Sequence, residues 1–130
     1  MRFVVDASAA VELLLRTSAG MHVAELIRHA DLVAPDLLDA EVLAVLRREW
    51  LARRLSRERA EQALEDLRHS GIERIANARL VPRAWAIRNN VSAYDALYVA
   101  AAELCGGDLL TADGPLSRAP GIRISIHNVR

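Results

Sequence analysis

The chain alternates short apolar runs with stretches whose apolar residues return every three or four positions, the signatures of strands and helices. Residues 2–5 (RFVV) form a β-rich run closed by Asp6, and 7–15 (ASAAVELLL) read as a helix with Ser8 near its start. A second helix is predicted over 18–29 from Met21, Val23, Ala24, Leu26 and Ile27, then a short strand at 32–34 stopped by Pro35. Asp36 reads as an N-cap with Asp39 as its capping-box partner, opening a helix from Leu37 to about Arg54. Ser56 caps the next, which ends at Gly71, and 72–76 (IERIA) is a third strand. Residues 80–89 (LVPRAWAIRN) are helical with Pro82 confined to the first turn. Ser92 opens a helix over 93–105 that Gly106-Gly107 ends, and strands follow at 108–111 and 122–126. Strands alternating with helices give an α/β fold with a mainly parallel sheet and right-handed crossovers.

A length of 130 residues fits one domain over 1–130, and 52% apolar content supports a core. No repeat or linker interrupts it. The formal net charge is zero, so attraction to a polyanion must come from a local patch. All 17 basic residues are arginine, a fork-shaped cation suited to phosphate, although a bias in codon usage is the simpler explanation. The single cysteine, Cys105, excludes an intrachain disulfide and reads as small core filler. With no signal-like N-terminus and no apolar window of membrane-spanning length, a soluble, cytoplasmic protein is expected.

Four carboxylates are poorly explained by local structure. Asp6 follows an apolar strand directly and Asp113 follows Asp108-Leu109-Leu110-Thr111-Ala112, which puts both at the carboxyl edge of the sheet, where open α/β sheets bind ligands. Each alone also reads as a turn or cap residue. Glu41 shares a helix stripe with Leu38, Ala44 and Val45, a costly place for an uncompensated carboxylate. Asp95 shares a stripe with Tyr98, Val99 and Ala102, and is also the last residue of an S-x-x-D capping box. Two unit charges at about 4 Å repel by about 4 kcal/mol at an effective dielectric near 20, so gathering four acids calls for a cation. Hard oxygen donors favour magnesium or manganese. Zinc is disfavoured, because His22, His29, His69 and His127 form no ligand pair and no second cysteine exists.

The ordered set Val4-Val5-Asp6-Ala7-Ser8-Ala9, Asp39-Ala40-Glu41-Val42, Ser92-Ala93-Tyr94-Asp95-Ala96-Leu97-Tyr98 and Leu110-Thr111-Ala112-Asp113 resembles the four acidic motifs of PIN domains. Among single-domain members it looks most like VapC-type toxins. The resemblance implies a three-layer α/β/α sandwich on a parallel, five-stranded sheet and an endoribonuclease using one or two magnesium or manganese ions. It further implies a homodimer and neutralisation by a small antitoxin. It assigns the metal site to Asp6, Glu41, Asp95 and Asp113, with Ser8 and Thr111 as supporting hydroxyls. Gly114-Pro115-Leu116 lacks the further acid that some members carry after the fourth, which argues against a tightly held second metal.

RNA needs a cationic approach to such a site. Arg47, Arg48, Arg53 and Arg54 lie in the densest basic stretch and are the RNA-binding candidates, with a solvated, ion-paired helix face as the simpler reading. Leu51 and Leu55, beside those charges, are expected in an antitoxin groove. Trp50 and Trp85 are read as core or interface filler rather than base-stacking platforms. Two rival classes stand beside the ribonuclease. A phosphoacceptor signalling domain also gathers acids at strand ends, but needs a basic partner that a lysine-free chain lacks. A non-catalytic RNA- or partner-binding module has no need of four intact acids.

Overall fold

A computed structural model describes all residues, 1–130. Five strands, β1 (Arg2–Val5), β2 (Asp31–Pro35), β3 (Glu73–Ile75), β4 (Asp108–Thr111) and β5 (Ile126–Asn128), form one sheet in the order β3-β2-β1-β4-β5. Every pairing is parallel, with Val4 opposite Val33 on one side and Leu109 on the other. The helices are α1 (Ala7–Leu14), α2 (Ser18–Leu26), α3 (Leu37–Leu51), α4 (Arg57–Arg68), α5 (Asn77–Ala86), α6 (Ala93–Cys105) and the short α7 (Gly114–Ser117). The crossovers through α1–α2 and α3–α4 step outward to β2 and β3, whereas α5–α6 carries the chain back across β1 to β4. Right-handed connections of opposite direction put these helices on opposite faces, giving the expected three-layer sandwich.

The core explains the order. Val4, Val5, Leu109 and Leu110 on the central strands are fully buried, as are Leu38, Val42 and Leu46 on α3 and Val99, Ala101 and Ala102 on α6. Small residues let α6 lie close over β1, β2 and β4. Gly20 does the same for α2: a Cβ there would stand 1.9 Å from the Glu12 carbonyl oxygen of α1. Gly106 ends α6 at φ 69°, as the sequence predicts.

Four local expectations change. Asp36 is helical and makes no side-chain cap. The Leu37 N–H instead donates to Asn77 Oδ1 at 3.2 Å, and Asp39 takes a forked ion pair from Arg74 at 2.8 and 2.9 Å. Long-range partners thus displace the capping box. α5 starts at Asn77 rather than Leu80, so Pro82 lies inside it and leaves one helical carbonyl without its amide. The last strand pairs over 126–128, not 122–126, because Leu109 N–H first meets the chain at Ser125 O, and Ile122 and Ile124 pack on the core before pairing begins. Of the two places expected for Trp50 and Trp85, core or interface, the core is excluded: both are exposed, and Arg88 covers the Trp85 ring at 4.5 Å.

Candidate active site

The chain leaves β1 toward β2 and leaves the adjacent β4 toward β5. The sheet's direction of winding therefore reverses between these two strands, and the carboxyl ends at such a switch point are where open α/β sheets bind their ligands. Asp6 stands at the end of β1, and its N–H donates to Leu110 O of β4 at 3.1 Å. Its side chain caps α1: Oδ1 accepts from Ala9 N–H at 2.9 Å and from Ser8 Oγ at 2.6 Å. Thr111 Oγ1 donates to Oδ2. Ser8 and Thr111 also accept, from the N–H groups of Ala112 at 2.8 Å and Asp113 at 2.9 Å. Two hydroxyls thus tie the ends of β1 and β4 together with the carboxylate between them.

Asp95 occupies the first turn of α6, and its N–H is capped by Ser92 Oγ at 3.4 Å. Asp113 caps α7, accepting from Leu116 N–H at 3.3 Å. Glu41, half-buried in the second turn of α3, accepts from the Tyr98 hydroxyl on α6 at 2.7 Å. Helix N-termini lend partial positive charge to carboxylates at such positions.

The electrostatics link these acids. Burial pushes the Asp6 carboxyl up; hydrogen bonds from Ser8, Thr111 and the Ala9 N–H pull it down less strongly, and the charge on Asp95 adds to the rise. Burial also raises Asp95, the Ser92 bond opposing and the charge on Asp113 reinforcing. Burial lifts the Tyr98 phenol far above its ordinary range, helped by the Glu41 hydrogen bond and the charges of Glu41, Asp6 and Asp95. None of the four acids forms an ion pair, whereas Glu12, Asp39, Glu49 and Glu103 each hold an arginine. As the side chains stand, no three acids form a shared ligand cradle. The donor set, hard oxygens without a basic partner, suits a divalent cation after side-chain rotation.

The arginine candidates separate. Arg48 and Arg54 line a cavity of about 300 Å³ that reaches Ser8 and includes Arg130 and Glu12. Arg54 is forked onto Glu49 at 2.6 and 3.3 Å. Arg47 lies elsewhere, in an α3–α4 groove with Leu43, Trp50 and Leu64, and Arg53 is exposed just beyond α3 in a left-handed conformation, φ 60°. Leu51 is exposed and Leu55 half-buried, the latter lining the cavity that reaches Ser8. Tyr98 is the residue that sequence reading passed over. A phenol three positions from Asp95 in an otherwise aliphatic stripe needs a buried partner for its hydroxyl, and that need was the available signal.

Comparison with known proteins identifies the family. The PIN domain model matches residues 3–122. Ribonuclease VapC1 of Mycobacterium tuberculosis is 42% identical over 129 residues, 98% of this chain and 97% of that protein. Ribonuclease VapC3 of the same organism is 44% identical over 118 residues, 89% of this chain and 85% of that protein. Among solved structures, PAE2754 from Pyrobaculum aerophilum superposes with a TM-score of 0.69 at 21% identity, over 98% of this chain and 84% of that one. VapBC2 from Rickettsia felis, bound to a promoter DNA fragment, also gives 0.69, at 14% identity and 98% coverage of both chains. At these identities the two structures speak for the fold alone. Motif order, sheet topology and near full-length identity converge, and this chain belongs to the PIN domain family as a VapC-type member.

Proposed function

We propose that this protein is a divalent-metal-dependent endoribonuclease, the toxin of a type II toxin–antitoxin pair, that hydrolyses RNA phosphodiester bonds at Asp6, Glu41, Asp95 and Asp113. The observation carrying this reading is the electrostatic state of Asp6: buried, raised, and surrounded by neutral donors and further acids rather than by arginine. The extensive identity to proteins named ribonuclease supports the substrate class.

Asp6, Asp95 and Asp113 would hold the metal, one or two magnesium or manganese ions, and Glu41 would be a further ligand or orient the attacking water. When bound, such an ion polarises a phosphoryl oxygen and lowers the pKa of a bound water. Ser8 and Thr111 fix both oxygens of Asp6. Arg48 and Arg54 give the phosphate backbone a cationic approach beside Ser8. Arg47, in the apolar α3–α4 groove, suits an amphipathic acidic segment such as an antitoxin would supply. The working form is a cytoplasmic homodimer of a single PIN domain, and no helix is long and apolar enough to cross a membrane.

The deciding experiment incubates purified protein with RNA and manganese or magnesium, then adds chelator. Cleavage that stops on chelation and returns with either ion is expected. Cleavage unaffected by thorough chelation overturns the metal assignment.

A further inference from the structure

We propose, given a metal-dependent site at these acids, that Tyr98 is a positioning residue whose buried hydroxyl holds Glu41 at the site. The phenol is 1% exposed and comes from the middle of α6, while Glu41 comes from α3, 57 positions away in sequence. Its hydroxyl donates to Glu41 Oε1 at 2.7 Å and reaches no other protein partner. Oε2 carries no protein donor, so one oxygen is anchored and the other is left for a cation or its water.

The anchor has work to do. Glu41 is half-buried on a flexible stem, and the negative charges of Asp6 and Asp95 lie close enough to act on the same hydroxyl. Repulsion from those charges favours a Glu41 swung toward solvent. An arginine would restrain it, but would put a fixed positive charge where a divalent ion must enter. A phenol is neutral, and toward a carboxylate it can only donate. It therefore restrains Glu41 without competing for the cation. A buried tyrosine needs a partner in any protein, yet a backbone carbonyl would meet that need. Here the partner is one of the four family acids.

The test compares wild type with Tyr98→Phe, Glu41→Asp and the two combined. Manganese binding is measured by titration calorimetry without RNA, and kcat and KM are measured separately on an RNA substrate. Loss of a group that orients a metal ligand costs about 10- to 100-fold. Tyr98→Phe is expected to weaken manganese binding and to lower kcat within that range, with KM for RNA unchanged. The combined variant should be no worse than Glu41→Asp alone, because both changes break one contact. A Tyr98→Phe protein that melts lower yet binds manganese and turns over like wild type overturns the proposal, as do independent, multiplying losses in the combined variant. Should Tyr98→Phe fail to fold, Glu41→Asp tests the pair from its half-exposed side. It keeps the charge but withdraws the carboxylate by one methylene, and wild-type kcat in that variant overturns the proposal. Wild-type protein that is indifferent to chelation and binds no manganese sinks the metal reading instead. The kcat of Tyr98→Phe then still reports whether Glu41 must be held.

Discussion

Replacing Asp6 with asparagine separates the charge of the site from its scaffold. The Asn side chain keeps an oxygen for Ser8 Oγ and Ala9 N–H, and its amide turns toward Thr111, whose hydroxyl can rotate to Ser8 Oγ, 3.3 Å away. The fold should survive. Without metal, burial and the neighbouring Asp95 make the Asp6 charge a net cost to the folded state. Asp6→Asn should therefore melt higher than wild type in chelator. For a chain of 130 residues the unfolding entropy is about 270 cal/mol/K, so each kcal/mol of relief raises the melting temperature by about 4 °C. Metal reverses the ranking. An ion at about 100 times its dissociation constant adds about 2.7 kcal/mol to a protein that binds it only when folded, or about 10 °C here. Wild type should gain that increment with manganese, and Asp6→Asn little of it. Calorimetric scans in chelator and in manganese check both halves. Equal metal-induced shifts in the two proteins, or a lower melting temperature for Asp6→Asn in chelator, would refute the reasoning.

The same pair gives a pH signature. Asp6 is raised in the folded state, so below about pH 3.8 it is protonated in both states and costs nothing. Stability is lost as pH rises from there through the folded pKa, so the advantage of Asp6→Asn in chelator should be absent near pH 3 and widen toward neutrality; a pH-independent gap counts against it. Asp113→Asn should still bind RNA in magnesium while losing most cleavage, and replacing Arg48 and Arg54 with glutamine should weaken binding and flatten its salt dependence, both read by salt titration beside single-turnover cleavage. An unchanged salt slope in the arginine variant means RNA approaches elsewhere. Leu43→Glu with Trp50→Glu, both exposed in the α3–α4 groove that Leu51 and Leu55 do not line, should weaken capture by the cognate antitoxin, measured by calorimetry, and unchanged affinity contradicts the groove. Gly20→Ala should destabilise by about 1–3 kcal/mol or more in denaturant melts, because its Cβ would meet the Glu12 carbonyl at 1.9 Å.

Much of this architecture is legible in the sequence because it is written locally. Apolar runs ended by Asp6 and by Ala112-Asp113 mark two strand ends, Ser92 caps α6, and Gly106 closes it. What misleads is local grammar overruled from afar. Asp36 and Asp39 spell a capping box, but Asn77, 40 residues from Leu37, takes its N–H, and Arg74, 35 residues from Asp39, takes the carboxylate. An alternating IRISI run spells a strand, yet pairing depends on where β4 presents its amides. Tyr98 was hidden for a related reason. Its partner comes from α3, on the other face of the sheet, and no spacing rule within either helix announces that meeting.

The contrast between Asp6 and Glu12, six residues apart, shows what distinguishes the site acids from ordinary ones. Burial pushes the Glu12 carboxyl up as well, but hydrogen bonds from Arg130 and Thr17 outweigh it, and the group sits below its ordinary range. At Asp39 and Glu49 hydrogen bonds from Arg74 and Arg54 lead the same downward shift. A chain carrying 17 arginines thus meets its structural carboxylates with guanidinium groups. At Asp6 it supplies two hydroxyls and a backbone amide, and these offset the burial cost only in part. Arg54, which lines the cavity reaching Ser8, is turned onto Glu49 and forms no ion pair with Asp6. A neutral shell fixes the carboxylate in place without cancelling its charge. On the proposed reading a bound cation would relieve that cost, so affinity for a cation and instability in its absence would be two sides of the same arrangement.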